Sequence, residues 1–317
     1  MLDFRIKTFI AVCKYMNYTK ASEKLNLTQP CVSQHIHYLE DYYGVKLFTF
    51  DNKRLQLTKA GNQIYNAMLS FHHDELRLKE NAQLAEQAPK RLRFGATLSV
   101  GGYYLPQKLI HFLEGNPNLQ IDLTVMDTKD LLARLNSGEI DFALVEGYFP
   151  KTEYEHMLIK REDLVAVRGA NYPMKAIHTI EELFSYHLFV REQGSGTREV
   201  LARYLRENGY SLEHFTQVST INDLHLIVQI VEHNLGISFL YRSVVQDEIE
   251  KGLLVPIEIP FYHVFHEFNF IWGKGSIFSA SFRKLCHKII GREVLLLRLD
   301  DNSTFSLHFL IFLPMQD

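Results

Sequence analysis

The stretch Thr19–Glu40, TKASEKLNLTQPCVSQHIHYLE, constrains the fold more than any other part of the chain. Thr19 and Thr28 are hydroxyl residues standing just before helical patterns, where a side-chain oxygen can accept from an orphan amide. Pro30 falls in the first turn after Thr28, where a missing N–H costs little. Asn26-Leu27 leaves only the short connection of a helix-turn-helix. In the second helix Val32, Ile36 and Leu39 recur at spacings of four and three, so they share a buried stripe. The opposite side carries Gln29, Ser33 and His37, with Gln34 beside them. Polar side chains of this length hydrogen-bond base edges in a major groove. An ordinary amphipathic helix with a solvated face has the same pattern. The two caps, the small Ala21 where the helices must cross, and the residues after Glu40 separate the two readings.

Those residues are YYGVKLFTFDNKRLQLTKAG. Gly44 can end a helix in the left-handed conformation. Val45–Phe48 and Leu55–Leu57 are predicted as short strands around Asp51-Asn52-Lys53-Arg54, a turn with a basic tip. The sum is a winged helix-turn-helix. Gln29, Pro30, Ser33, Gln34 and His37 read or line the groove of double-stranded DNA, while Thr28, Lys53, Arg54 and Thr58 hold phosphates. Thr58 also caps the next helix. The order Phe9, Ala21, Leu25, Gln29-Pro30, Ser33, Ile36, Leu39-Glu40, Gly44, Leu47-Phe48, Leu57-Thr58 and Ala60-Gly61 resembles the N-terminal signature of LysR-type transcriptional regulators. One departure stands out. The family usually has an arginine two residues after the Leu-Phe pair, and this chain has Phe50, which shifts the wing's charge onto Lys53 and Arg54.

The 317 residues suffice for two or three domains with a sizeable core. A formal net charge of −3 hides an asymmetry: Met1–Gly61 holds nine basic residues against five acids, near +4, which leaves about −7 for the rest. A basic head on an acidic body fits phosphate contact at one end. Three cysteines, Cys13, Cys31 and Cys286, are too few and too scattered for a disulfide framework or a zinc site. Cys31 lies on the recognition helix and is read as a small packing residue. The N-terminus has acidic Asp3 and no apolar run after a basic start, and no stretch is long enough to span a bilayer. A cytoplasmic protein with no membrane partner is expected.

Leu2, Ile6, Phe9, Ile10 and Cys13 form the stripe of a first, supporting helix. After Gly61, Ile64, Met68, Phe71, Glu75, Leu78, Ala82 and Ala85 keep a heptad-like spacing up to Ala88, with Pro89 closing the segment. About 27 residues make roughly 40 Å of helix, long for packing on a small winged head. The resemblance makes it the linker helix through which these regulators dimerise. From Arg91 strands and helices alternate, with a loop over 97–103 and strands over 164–167, 253–259 and 265–272 among them, which predicts a parallel α/β sheet. Two such units, with the chain returning to the first near Ile271, form a hinged pair like the periplasmic-binding-protein fold. The boundaries expected are a head over 1–61, a linker helix over 62–90 and an effector-binding domain over 91–291. The last divides into subdomain I (about 91–163 and 270–291) and subdomain II (about 164–269). Residues 292–317 read as an apolar extension, either an added hairpin or an appendage.

In open α/β sheets ligands bind beyond the carboxyl ends of strands, at helix N-termini. Two loops qualify: Thr97-Leu98-Ser99 with the residues up to Gly102, and Glu192-Gln193-Gly194-Ser195-Gly196-Thr197-Arg198. The resemblance makes them face each other across the interdomain cleft that holds the coinducer, with Glu146-Gly147 at the crossover. Facing helix N-termini favour an anion, although Glu192 opposes a heavily charged one unless it meets an ammonium group. Enzyme readings are weak. Gly194-Ser195-Gly196 lacks the outer glycines of a nucleophile elbow. Gly194, Gly196 and Glu199 make an incomplete dinucleotide fingerprint. His263 and His266, three apart in a strand, face opposite sides and do not share a metal. The chain is read as a non-enzymatic regulator without metal or cofactor. Its expected partners are DNA, a small anionic effector, RNA polymerase and further copies of itself as a dimer or dimer of dimers. The alternative is a solute-binding or catalytic α/β protein whose N-terminal unit only oligomerises.

Overall fold

The computed structural model describes residues 3–51, 54–83 and 91–291. Three helices lead the chain: α1 (Phe4–Tyr15), α2 (Tyr18–Leu25) and α3 (Gln29–Tyr43). A side-chain oxygen starts each one. Asp3 accepts from the Arg5 amide, Asn17 from the Lys20 amide, and Thr28 from the Cys31 amide. Thr19 therefore lies inside α2 and caps nothing; Asn17, two residues earlier, has that role. Phe9, Val12, Ala21, Val32, Ile36, Leu39, Leu47 and Phe48 form the buried core of the head. Phe9 meets Phe48 edge-on, with ring centroids 5.6 Å apart.

Strands β1 (Phe48–Asp51) and β2 (Arg54–Leu57) pair antiparallel, Asp51 opposite Arg54. The strand expected from Val45 starts three residues late, and Glu40 is the reason. Its carboxylate, 7% exposed, accepts from the Leu47 amide at 2.9 Å and the Lys46 ammonium at 2.5 Å, which bends the chain into the wing. Burial pushes the Glu40 carboxyl up, but the bonds from Lys46 and Leu47 outweigh it and hold it below the ordinary glutamate value. Glu40→Ala should cost the head roughly 1–3 kcal/mol, because the buried Leu47 amide loses its acceptor. An unchanged denaturation midpoint would exclude this role. Since the folded carboxyl is depressed, the stabilisation is complete above the unfolded value of 4.5 and lost as pH falls below it.

Helix α4 (Lys59–Gln83) starts hard against the wing. A Cβ on Gly61 would stand 2.1 Å from the Leu47 carbonyl oxygen, so only glycine permits that approach. Of the heptad-like positions, Met68 is buried in the head, while Phe71 and Leu78 stay 48% and 50% exposed. A second face of α4, which the apolar spacing did not reveal, docks on the body. His73 Nε2 donates to the Asn136 carbonyl at 2.8 Å, and buried Asp74 accepts from the Ser276 hydroxyl and the Ile277 amide. Arg77 lies over the rings of Phe278 and Phe282. The expected run of this helix to Ala88 and the 292–317 extension lie outside the described residues.

The body opens with β3 (Arg91–Ala96), α5 (Pro106–Glu114), β4 (Gln120–Val125), α6 (Thr128–Ser137) and β5 (Phe142–Val145). Strand β3 pairs parallel with both β4 and β5. Next come β6 (Tyr154–Gly169), β7 (His187–Val190), α7 (Gly196–Glu207), β8 (Gln217–Thr220), α8 (Leu224–Glu232) and β9 (Ile237–Tyr241). The last elements are α9 (Arg242–Glu250), β10 (Leu254–Pro256), β11 (Phe265–Gly273) and α10 (Ser279–Ile290). The sheet order is β4-β3-β5-β11-β6-β9-β7-β8, with β10 on β6. Two parallel units are thus joined by an antiparallel pair, β6 and β11.

Several expectations change here. The sheet is mixed and not wholly parallel, because β6 and β11 both cross between the units. The strand expected at Leu164–Val167 is the second half of the 16-residue β6, so a subdomain boundary at 163/164 falls inside one strand. The loop over 97–103 is largely a helical turn, Val100–Tyr104, leading into α5. The strand expected over 253–259 shortens to β10. Helix α9 follows β9 directly, and Tyr241 gives it no capping side chain, so its start carries no sequence signal.

Candidate functional site

On the head, Gln29, Pro30, Gln34 and His37 are exposed and Ser33 is half-buried, and none of them joins the buried stripe of Val32, Ile36 and Leu39. Gln29 Nε2 donates to Ser33 Oγ at 3.2 Å, so the two form one polar unit. His37 Nδ1 lies 3.6 Å from Glu40. Arg54 is exposed on β2 and Phe50 is 69% exposed on β1, while Lys53 lies outside the described residues. Thr58 is a correction. Its hydroxyl donates to the Lys46 carbonyl and accepts from the Gly61 amide, so it has no proton left for a phosphate. The Thr28 hydroxyl caps α3 and keeps its own proton free to donate.

Two features of the head were missed. Arg5 lies 3.5 Å over the ring of Tyr38, which stacks with Tyr42 along the exposed flank of α3. The i, i+4 tyrosines were the available signal. Cys31 is more than a packing residue. Its Sγ is 3.4 Å from His35 Nε2, and Thr8 Oγ1 is 2.9 Å from His35 Nδ1.

In the body, the strand ends converge on Glu146. Thr97 and Ser99 donate to its two oxygens at 3.2 and 3.1 Å, and Glu146 is 3% exposed. Burial raises its carboxyl to about 7, against the pull of the Ser99 and Thr97 hydroxyls and Arg191. Gly196 packs against Glu146 and Gly147, and the Ser195 and Thr197 hydroxyls on either side of it are buried without a partner. Leu98 is half-buried beside them. Glu192 instead holds Arg191 in a two-point pair at 2.8 and 2.6 Å. Arg198 is a second correction: it donates to the Arg191 carbonyl and to Thr220 Oγ1, bracing the ends of β7 and β8. Asp127, just before α6, was missed. Burial pushes its carboxyl up, and the Glu192 charge adds to the shift. Its place between a strand end and a helix start was the available sign.

Beyond Gly147 an open groove of about 430 Å³ runs between α7 and the edge of β11. Tyr148, Phe149, Tyr204 and Phe265 line it, with His263 at the rim and His266 packed on Tyr148. Its charges are mutually paired, Lys151 with Glu267 and Arg203 with Glu207. No helix among the described residues is long and apolar enough to cross a membrane.

Residues 5–62 match the model of the bacterial regulatory helix-turn-helix proteins of the lysR family, and residues 85–289 match the LysR substrate binding domain. The chain belongs to the LysR family. Its similarity to the transcriptional regulator YeiE of Escherichia coli (strain K12) is 28% identity over 257 residues, covering 81% of this chain and 86% of that protein. CysL of Bacillus subtilis (strain 168), another transcriptional regulator, is 29% identical over 264 residues, 82% of this chain and 85% of CysL. The full-length LysG of Corynebacterium glutamicum, a structure with bound effector Arg, superposes with a TM-score of 0.61 at 13% identity, covering 93% of this chain and 99% of LysG. This LysR-family chain is thus a transcriptional regulator and not an enzyme, with a helix-turn-helix head and a periplasmic-binding-protein-like body.

Proposed function

We propose that this LysR-type regulator binds an inverted-repeat promoter site as a dimer or dimer of dimers, in the cytoplasm, and responds to a small anion in the cleft at the start of α7. The single observation behind the DNA reading is the exposed Gln29–Ser33 unit on the outer face of α3, capped by Thr28 and flanked by Arg54 on the wing. Pairing of two heads is supported by Phe71 and Leu78, which keep an apolar strip of α4 open to solvent although its other face is docked. The anion reading is supported by the Thr97 and Ser99 hydroxyls meeting at Glu146 beside Gly196, the first residue of α7, whose neighbours Ser195 and Thr197 bury hydroxyls without a partner. The effector changes the angle between paired heads, and with it DNA bend and access for RNA polymerase.

The test is a fluorescence-anisotropy titration of the full chain against its own upstream DNA at several salt concentrations. Two wings and two recognition helices should give a steep fall of affinity with salt, and tighter binding to the upstream sequence than to a scrambled duplex. Affinity indifferent to both salt and sequence would sink the reading and return the head to an oligomerisation module.

A further inference from the structure

The oxyanion position in the cleft is already filled by a carboxylate of this chain. Thr97 and Ser99, at the end of β3, both donate to Glu146. Gly196, the first residue of α7, packs beside Glu146 with no room for a side chain: a Cβ there would stand 3.0 Å from Glu146 Cγ and 3.3 Å from Gly147 Cα. Gly147 is itself packed against Thr128, since a Cβ on it would come within 2.3 Å of Thr128 Oγ1. The Ser195 and Thr197 hydroxyls on either side of Gly196 are 2% and 3% exposed and have no hydrogen-bond partner. Converging hydroxyls beside a helix N-terminus are what an oxyanion needs, and Glu146 uses the two of Thr97 and Ser99 itself.

On the anionic-effector reading, on which this inference rests, we propose that Glu146 is a tethered occupant of the effector site. An incoming anion takes over the Thr97 and Ser99 hydroxyls, and Glu146 takes up one proton and becomes a neutral donor to that anion. The proton comes from solvent, and no covalent bond forms or breaks. The reason is geometric and electrostatic. Glu146 is held between Thr97, Ser99 and Gly196, so it stays beside the ligand, and two like charges at contact in a buried site do not both persist. Arg191 is the cation that pulls on Glu146, and it is shared with a second carboxylate. Arg191 is engaged by Glu192, and the other groups facing the site are Asp127 ahead of α6, Glu199 on α7, Tyr241 at the end of β9 and His266 on β11, whose ring bonds the Glu146 backbone. Burial has already brought the carboxyl to about 7, so the proton is available near neutrality.

Sulfate is the probe, because it keeps its charge across the neutral range. It is titrated calorimetrically into the full chain and into Glu146→Gln. Wild-type affinity should be flat below about pH 7 and fall roughly 10-fold per unit above it, as uptake of one proton requires. Above that pH, heats measured in buffers of different ionisation enthalpy should approach one proton absorbed per sulfate, and below it none. E146Q should bind more tightly at alkaline pH and lose this slope; any slope left belongs to Asp127 and Glu199. The wild-type slope needs no variant, so a poorly folded E146Q leaves the proposal open to refutation. Sulfate affinity independent of pH in the wild type, or affinity that rises with pH, overturns the tether and leaves the anionic reading standing. Sulfate that binds neither protein overturns both.

Discussion

Replacing Gln29 and Ser33 together with alanine is expected to weaken binding to the protein's own upstream DNA by roughly 2–6 kcal/mol, at about 1–3 kcal/mol for each lost base contact. Both side chains stand on the outer face of α3, joined by a 3.2 Å hydrogen bond, and neither belongs to the buried stripe. The fold of the head should therefore be untouched. Because the two groups orient each other, the single variants should not add up to the double one. Anisotropy with the operator and with a scrambled duplex measures both effects. The operator should lose affinity and the scrambled duplex should not, since backbone contacts carry the non-specific part. Equal losses on both duplexes would mean a damaged head, and wild-type operator affinity would refute the recognition face.

Phe142→Ala should destabilise the body by about 3–5 kcal/mol, the range for a large aromatic removed from a packed core. Phe142 is fully buried on β5, its ring stacked 4.9 Å from Phe94 and 4.6 Å from Phe270. The three rings tie β3, β5 and β11 together at the point where the chain first crosses back. The same strand runs on to Glu146, so the variant should also loosen the effector cleft. Chemical denaturation followed through Trp272, which packs against Phe270, reads the loss. A shift below about 1 kcal/mol would mean that neighbouring side chains refill the space. The head, whose core is a separate cluster around Phe9 and Ile36, should keep its own transition.

Local rules carried the head. The period of Val32, Ile36 and Leu39, the cap at Thr28 and the left-handed stop at Gly44 are properties of neighbouring residues, and the structure holds all of them as read. Thr19 failed because two polar residues two positions apart could both cap, and only backbone geometry chose Asn17. The wing began late because Glu40, on the preceding helix, accepts the Leu47 amide. In the body, the alternation of strands and helices carried the architecture, but the pairing of β6 with β11 was hidden. Antiparallel pairing between residues more than a hundred positions apart leaves no periodic trace in either strand.

The candidate sites divide the same way. Thr97, Ser99 and Glu146 were legible because strand ends and helix starts are local events; the three meet, and Gly196 packs beside Glu146. That Arg198 turns away to Arg191 and Thr220, that Thr58 spends its proton on Lys46, and that Asp127 joins the cleft are outcomes of long-range contact. By itself the sequence determined a winged, capped reading head, a long helix and a two-part α/β body, because spacing and capping act over a few residues. Only the tertiary structure decided that the cleft's hydroxyls close on Glu146, since burial and the approach of Gly196 depend on packing two distant segments together.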